Sequence, residues 1–270
     1  GHQTEEPKES CYSSVVSRDS VRIAFTIAAL NDLDILAGDV QNAYLNAETK
    51  ERCYTTAGLE FGKDNEGRSV LIVRALYGLR SSGARFRDPM AATLRDAGFT
   101  SCLADPDVWM RKNVKPDGFL YWEYVLCYVD DVLCVSHAPK LIMDKLSKTY
   151  TLKEGSVGEP TEYLGCGIKR FDIPGCDKPR WAMTSDLYVK RSVEEVEREL
   201  AHIGQCLCKK VTTPVTATYR PEIDSSPELD ARQANYYQGL IGVLRWIVEI
   251  GRIDILVPVS LLSRHLAAPI

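Results

Sequence analysis

The segment Val125–Val135 (VLCYVDDVLCV) constrains the fold most, because two apolar runs meet there at the adjacent carboxylates of Asp130 and Asp131. Its β-branched and aromatic residues predict two buried strands joined by a hairpin, with both acids at the turn. Two carboxylates about 4 Å apart repel by about 4 kcal/mol at an effective dielectric constant of about 20. A solvent-exposed turn would accommodate them. Strands this apolar, however, belong inside a sheet, where carboxylates need a cation or hydrogen-bond donors, so the pair is a candidate metal site.

The composition describes a globular chain with enough apolar residues for one large domain or two smaller ones, at 270 residues and 45% hydrophobic. No apolar run approaches the roughly 20 residues that cross a bilayer, and the polar, acidic N-terminus is unlike a signal peptide. We therefore expect an intracellular protein without a membrane partner. The net charge of −4 argues against a strong stand-alone nucleic-acid binder, although a local basic face is compatible with it.

The cysteines indicate reduced thiols, because there are nine of them, an odd number, scattered along the chain. Cys206 and Cys208 form the one close pair. No second cysteine pair or histidine cluster lies at zinc-binding spacing, so a structural zinc is not expected.

The order of predicted elements favours an α+β fold, in which an antiparallel sheet is covered by helices on one face. Apolar spacing predicts a helix over 17–30 with Ser17 or Ser20 as its N-cap, then a strand ending at Asp39. Asp39 is either a third metal-binding acid or the N-cap of the helical turn that follows it. A helix reaching about residue 97 should bend or begin at Pro89. The sequence pattern after Gly175 predicts mainly helices, and we expect a domain boundary between residues 171 and 178.

Several stretches occur in the same order as in one known family: DVQNAYLN (39–46), ALYGLR (75–80), YVDD (128–131), YLG (163–165), YQGLIG (237–242), RIDI (252–255) and SLLSR (260–264). Together they resemble the reverse transcriptase of copia-type (Pseudoviridae) LTR retrotransposons over nearly the whole chain. The resemblance implies a right-hand polymerase fold. Residues 1–32 would be a remnant of the fingers with the first palm helix, residues 33–175 the palm, and residues 176–270 a helical thumb or connection.

The resemblance implies an RNA-directed DNA polymerase that adds deoxynucleotides to a primer 3′ end. Its partners would be an RNA or DNA template with primer, deoxynucleoside triphosphates, and the RNase H and integrase segments of the same polyprotein, in a cytoplasmic virus-like particle or the nucleus. The alternative is a truncated, non-catalytic palm and thumb relic that binds nucleic acid or protein. A nucleotide cyclase with a similar palm is disfavoured by the family motifs around Tyr77 and Tyr163.

The resemblance also assigns roles to individual residues. Asp39, Asp130 and Asp131 would hold two Mg²⁺ ions, for which Mn²⁺ can substitute, because hard cations prefer oxygen ligands and two ions stabilise an in-line displacement. Tyr44 would lie beneath the incoming sugar and favour deoxynucleotides, or else be a core aromatic. The remaining assignments are the backbone of Val40, Gln41 and Asn42 against the triphosphate, Tyr128, Val129, Tyr163, Leu164 and Gly165 at the primer end, and Lys153 as a general acid toward pyrophosphate.

Two departures from the family pattern bear on activity. Arg80-Ser81-Ser82-Gly83 replaces the usual Lys-Gln-Ala-Pro, so the glutamine expected to align nucleotide and template is missing. In the family a basic fingers region also precedes the segment with which this sequence begins. Its absence here would account for the acidic net charge and leaves open an incomplete enzyme.

Overall fold

The computed structural model describes residues 11–175, 179–208, 210–211, 213–215 and 219–269. Its helices are α1 (Arg18–Asn31), α2 (Ser82–Asp96), α3 (Pro139–Leu146), α4 (Asp186–His202), α5 (Ala231–Glu249) and α6 (Leu256–Leu262). Its strands are β1 (Asp34–Asp39), β2 (Tyr54–Thr56), β3 (Ser69–Leu71), β4 (Thr100–Ser101), β5 (Val108–Val114), β6 (Leu120–Tyr128), β7 (Asp131–Ser136), β8 (Glu162–Tyr163), β9 (Cys166–Phe171) and β10 (Arg180–Thr184). The predicted α+β class is confirmed.

The chain divides into two compact units, residues 1–160 and 161–270, so the division falls earlier than the boundary expected between residues 171 and 178. The reason is the pairing of β8, β9 and β10, which form a separate three-stranded sheet that packs on α4. These short strands belong with the helical region that follows them. Among the described residues, no helix is long and apolar enough to span a membrane.

The first unit contains a five-stranded sheet in the order β1-β7-β6-β5-β4, with every neighbouring pair antiparallel. The central strands are the apolar runs of the sequence, and Val132, Leu133, Cys134 and Val135 of β7 are all fully buried. A strand buried on both faces reads as a continuous apolar run, which explains why the period-two alternation is absent here. The predicted hairpin of β6 and β7 is confirmed, with Tyr128 paired with Asp131.

Helices cover both faces of this sheet, which corrects the prediction that they lie on one face. Val132 and Cys134 share a core cluster with residues of α2 and α3. Leu133 and Val135 point the other way, because successive side chains of a strand alternate. Helix α1 contacts β6 and β7, and its buried residues lie outside that cluster, so α1 covers the second face.

Helix α1 begins as predicted, because Ser17 is its N-cap and the Ser17 side chain accepts a hydrogen bond from the Ser20 backbone N–H. The buried carboxylate of Asp105 reinforces this end of the helix. Its Oδ2 accepts hydrogen bonds from the Ser17 backbone N–H at 2.9 Å and from the Ser20 hydroxyl at 2.6 Å. Pro89 neither begins nor ends α2, which continues through it. Sequence reasoning was therefore right about the start of α1 and wrong about Pro89 as a start for α2.

A buried carboxylate joins three strands at the end of the sheet away from the hairpin turn. The Glu123 side chain on β6 is 3% exposed and accepts hydrogen bonds from Nε and Nη2 of Arg111 on β5, at 2.9 and 2.6 Å. Asn113 and the Ser136 hydroxyl also donate to it. Burial alone would raise the pKa of Glu123. The hydrogen bonds from these three residues and the Arg111 charge outweigh that effect, so the pKa is lowered.

Candidate active site

Strand pairing brings the three predicted acids together. Asp39 ends β1, Asp131 begins β7, and these two residues are direct partners in the antiparallel register. Asp130 lies in the two-residue turn between β6 and β7, where Val129 adopts a left-handed backbone with φ of 55°. The Val40 backbone N–H donates a 2.8 Å hydrogen bond to the Asp130 carbonyl oxygen, which fixes the turn against the end of β1. Asp39 is therefore a neighbour of the turn acids, as a shared site requires.

The electrostatics of the three acids are those of crowded like charges. Partial burial, then the charges of Asp130 and Asp39, raise the pKa of Asp131 to about 6, and the Lys153 ammonium opposes this rise. The Lys153 Nζ lies 3.7 Å from Asp39 Oδ2, and the Lys153 backbone N–H donates to the Asp39 carbonyl. Ser156, which sequence reasoning missed, accepts the Asp39 backbone N–H through its hydroxyl oxygen at 3.1 Å.

Tyr77 is a second residue that sequence reasoning missed as a member of the site. Its hydroxyl donates a 3.1 Å hydrogen bond to Oδ2 of Asp130. Partial burial, together with the charge and hydrogen bond of Asp130, raises the pKa of Tyr77 to about 12. The sequence offered one signal, since Tyr77 stands within the family motif ALYGLR.

Tyr44 is partly buried, so its burial lies between that of an exposed residue beneath the incoming sugar and that of a core aromatic. It lies in a short 3-10 helix (Ala43–Asn46) directly after β1. The Tyr44 ring lies 4.4 Å from the Tyr77 ring, centroid to centroid, and packs edge-on against Phe86 at 6.5 Å. Burial, followed by the Asp130 charge, raises the pKa of Tyr44. The ring therefore sits beside the acids with its inner side on the core.

The backbone of Val40, Gln41 and Asn42 does not offer three open amides to a phosphate, which corrects the simplest form of that prediction. The Val40 N–H is bonded to the Asp130 carbonyl, and the Gln41 N–H donates to the Thr151 carbonyl at 2.9 Å. Both amides are therefore used in hydrogen bonds that hold neighbouring chain segments together around the site. Asn42, with φ of 51°, is the one of the three for which a triphosphate contact is retained as a proposal.

The serines of the departing motif have structural roles. Ser81 and Ser82 are each 2% exposed at the start of α2. The Ser81 backbone N–H donates to Glu51 at 2.9 Å, its hydroxyl donates to the same carboxylate, and the Ser82 hydroxyl donates to the Leu76 carbonyl at 2.6 Å. These contacts point inward, so neither side chain replaces the aligning role that the resemblance assigns to glutamine.

The donor set of Asp39, Asp130 and Asp131 fits a hard cation, because it offers carboxylate oxygens whose mutual repulsion a cation would relieve. Within the described part of the chain, no three or more His, Cys, Asp or Glu side chains are arranged so that they could hold one metal ion. The directions of two of these side chains explain the difference: Asp130 is bonded to Tyr77, and Asp39 faces Lys153. The residues match the chemistry of a Mg²⁺ site, although the three carboxylates are not arranged as a closed set of ligands.

The predicted primer-positioning residues fall in both units. Tyr128 ends β6 and Val129 is in the adjoining turn. Tyr163, Leu164 and Gly165 belong to the second unit, where Tyr163 ends β8 and Leu164 and Gly165 form the turn of the β8–β9 hairpin. Leu164 and Gly165 both have positive φ, of 49° and 77°, as a two-residue type I′ turn requires.

Comparison with known proteins identifies the family. Residues 3–180 match the family model described as reverse transcriptase (RNA-dependent DNA polymerase). The chain is 27% identical to the transposon Ty5-1 protein of Saccharomyces cerevisiae over 86% of its own length and 70% of that protein. It is 26% identical to the Pol polyprotein of transposon RE1 from Arabidopsis thaliana over 96% of its length. It is 23% identical to the Ty1-BL Gag-Pol polyprotein of S. cerevisiae over 95% of its length.

The chain spans only 16% of the RE1 polyprotein and 14% of the Ty1-BL polyprotein. These three relatives are nonetheless all transposon proteins, and the family model covers more than half of the residues of the chain. The prediction made from the ordered motifs is confirmed. This chain belongs to the reverse transcriptase family and corresponds to the reverse transcriptase region of copia-type retrotransposons.

Proposed function

We propose that this chain is the palm and thumb of an RNA-directed DNA polymerase that adds deoxynucleotides to a primer 3′ end. The observation that carries the proposal is the register of β1 and β7, which sets Asp39 opposite Asp131 and beside the turn that holds Asp130. An acidic cluster at the end of a mainly apolar sheet is costly unless a cationic ligand binds there. Family membership supports the nature of that ligand, a divalent metal together with a nucleotide.

In this proposal the first unit corresponds to the palm and the second contains the thumb or connection. The carboxylates of Asp39, Asp130 and Asp131 would hold two Mg²⁺ ions. Bound there, the ions would supply charge stabilisation for phosphoryl transfer. The primer 3′-hydroxyl would release its proton to solvent, its oxygen would bond to the α-phosphorus, and the bond between the α-phosphorus and the pyrophosphate oxygen would break.

The other residues of the first unit have binding and proton-transfer roles in this proposal. Tyr44 bounds the space for the sugar, and the Asn42 backbone meets the triphosphate. Lys153, whose side chain is 66% exposed, would donate a proton to the departing pyrophosphate. Tyr128 and Val129 would contact the primer end. A primer-positioning role is proposed separately for Tyr163, Leu164 and Gly165 of the second unit.

The neighbouring segments and the location of this chain are proposed from its relatives. Several of them are Pol or Gag-Pol polyproteins, so we propose RNase H and integrase segments as neighbours and an intracellular particle as the location. The substrates would be a primed RNA or DNA template and deoxynucleoside triphosphates. These proposals require that Asp39, Asp130 and Asp131 lie together at one site.

Primer extension on a homopolymeric RNA template, with Mg²⁺ or Mn²⁺, tests the proposal. The double variant Asp130→Asn, Asp131→Asn should lose extension by at least about 10²-fold, since electrostatic stabilisation at a reacting centre is worth that much. The matched control is Asp144→Asn, which removes an exposed carboxylate of α3 in the same unit. Extension that survives the double substitution would exclude these acids as the metal ligands.

The alternative of a non-catalytic binding module is favoured by one observation, namely that, among the described residues, no three acidic, His or Cys side chains are grouped so that they could hold a metal ion. Titration of Mn²⁺ followed by electron paramagnetic resonance separates the two. Binding that disappears in the double Asn variant supports the polymerase. Binding that is absent in the unmodified chain, combined with retention of a primed template, supports the binding module.

A further inference from the structure

Four aromatic rings form a row that runs from the acidic site into the core of the first unit. Tyr77 is followed by Tyr44, Phe86 and Tyr150, with centroid distances of 4.4, 6.5 and 5.9 Å between successive rings. Phe86 and Tyr150 are 2% and 3% exposed, and the Tyr150 hydroxyl lies 3.2 Å from the Thr93 hydroxyl. The inner end of the row is thus fixed by the core, which leaves the Tyr44 ring no room to move inward.

Within this row, Tyr77 is the ring that covers the outer side of Tyr44. The two rings are tilted by 52° and have the shortest centroid separation of the row. Tyr77 is 69% exposed, so packing around it does not hold its ring in place. Its hydroxyl is instead held by Asp130 Oδ2 at 3.1 Å, and this bond orients the ring over Tyr44.

We propose that Tyr77 is a positioning residue for sugar selection, whose ring braces Tyr44 so that Tyr44 cannot move away from a 2′-hydroxyl. This inference rests on the proposed function, because it requires Tyr44 to lie beneath the sugar of the incoming nucleotide. A ring that excludes a hydroxyl by contact does so only while it cannot rotate away. The core blocks inward movement of Tyr44 and Tyr77 blocks outward movement, so selectivity depends on both.

The expected effect follows from the strength of aromatic pairs. Such a pair contributes enough beyond its buried area to change a rate ratio by about two- to tenfold. Loss of the Tyr77 ring should therefore lower the preference for deoxynucleotides over ribonucleotides by that factor. The preference changes because use of the ribonucleotide improves, whereas general damage to the site would lower the use of both nucleotides alike.

The test measures kcat/KM for dTTP and for UTP on a primed poly(A) template, and the dissociation constants of both nucleotides from the primer-bound protein. Tyr77→Leu removes the ring, and Tyr77→Phe removes only the hydroxyl. Tyr44→Val removes the selecting ring, and it is combined with Tyr77→Leu in a double-mutant cycle. Tyr54→Leu, at an exposed tyrosine of β2, is the matched control.

We expect Tyr77→Leu to lower the dTTP/UTP ratio by about two- to tenfold, and Tyr54→Leu to leave it unchanged. Tyr77→Phe should also lower the ratio, because its ring is no longer held by Asp130. Because Tyr77 acts through Tyr44, adding Tyr77→Leu to Tyr44→Val should cause no further loss. The inference is overturned if Tyr44→Val lowers the ratio and Tyr77→Leu does not, if Tyr77→Phe leaves the ratio unchanged, or if the losses from Tyr44→Val and Tyr77→Leu are additive. If Tyr44→Val itself leaves the ratio unchanged, the assignment of Tyr44 in the proposed function fails.

Discussion

Removal of the Arg111 guanidinium should destabilise the first unit by about 3–5 kcal/mol at pH 7, because it leaves the Glu123 carboxylate buried without its cation. Arg111 makes two hydrogen bonds to Glu123, whose side chain is only 3% exposed. It also donates to the Ala97 carbonyl at the end of α2 and lies 4.4 Å above the Phe99 ring. Arg111→Met retains most of the aliphatic volume and removes all of the donors.

A second substitution should then partly restore stability. Glu123→Gln in the Arg111→Met background removes the uncompensated charge and keeps an oxygen that can accept hydrogen bonds from Asn113 and Ser136. We expect a recovery of about 2 kcal/mol, within the cost of one unsatisfied buried charged group. In the unmodified protein the same Glu123→Gln change should be destabilising, since it breaks the ion pair.

The stability of the unmodified protein and that of the Arg111→Met protein should depend on pH in opposite directions. In the unmodified protein the folded pKa of Glu123 is lowered, so its contribution is complete above the unfolded pKa of about 4.3 and is lost as pH falls through the folded value. Without Arg111, burial dominates and raises the folded pKa, so stability is lost as pH rises instead. The destabilisation caused by Arg111→Met should therefore be smaller at pH 4 than at pH 7.

Urea unfolding, followed by hydrogen–deuterium exchange of peptides within residues 120–128, isolates the first unit from the second. The reasoning is refuted if Glu123→Gln further destabilises the Arg111→Met protein at pH 7. It is also refuted if the cost of Arg111→Met is the same at pH 4 and pH 7.

Two further stability predictions concern helix ends, one in each unit. Asp105→Ala should cost about 1–2 kcal/mol by removing the acceptor for the Ser17 amide and the Ser20 hydroxyl, and exchange in α1 should rise more than exchange in α3. Asp230→Ala removes the capping box that Asp230 and Gln233 form at the start of α5, and should cost about 1 kcal/mol, measured by exchange in that helix. Glu228→Ala, just before this cap, is the matched control, and an equal effect of the two changes would contradict the capping argument.

The sequence was sufficient for the features that depend on local pattern. The hairpin of β6 and β7 follows from two apolar runs around Asp130 and Asp131, and α1 follows from helical spacing after Ser17. The adjacency of Asp39 to these acids was available only through the family motif, because no spacing between distant segments specifies strand register. Tyr77 was missed for the same reason, since its contact with Asp130 joins positions 53 residues apart. By sequence pattern, the short strands after residue 160 could not be distinguished from a continuation of the first sheet. Only their pairing shows that they form a separate sheet.

The β1–β7 register also makes chain length, as much as side-chain identity, a determinant of the acidic site. Asp39 lies on the sheet face opposite to Val40 and Leu36, which pack in the cluster of α2 and α3. Loss or gain of one residue in β1 would turn its carboxylate toward that cluster, and after a loss it would take the place now held by Gly38. A Cβ there would already lie 3.2 Å from the end of the Met143 side chain, so an aspartate would crowd Met143 and place its carboxylate among apolar atoms. Insertions and deletions within Asp34–Asp39 should consequently abolish the site even where every acidic residue is retained.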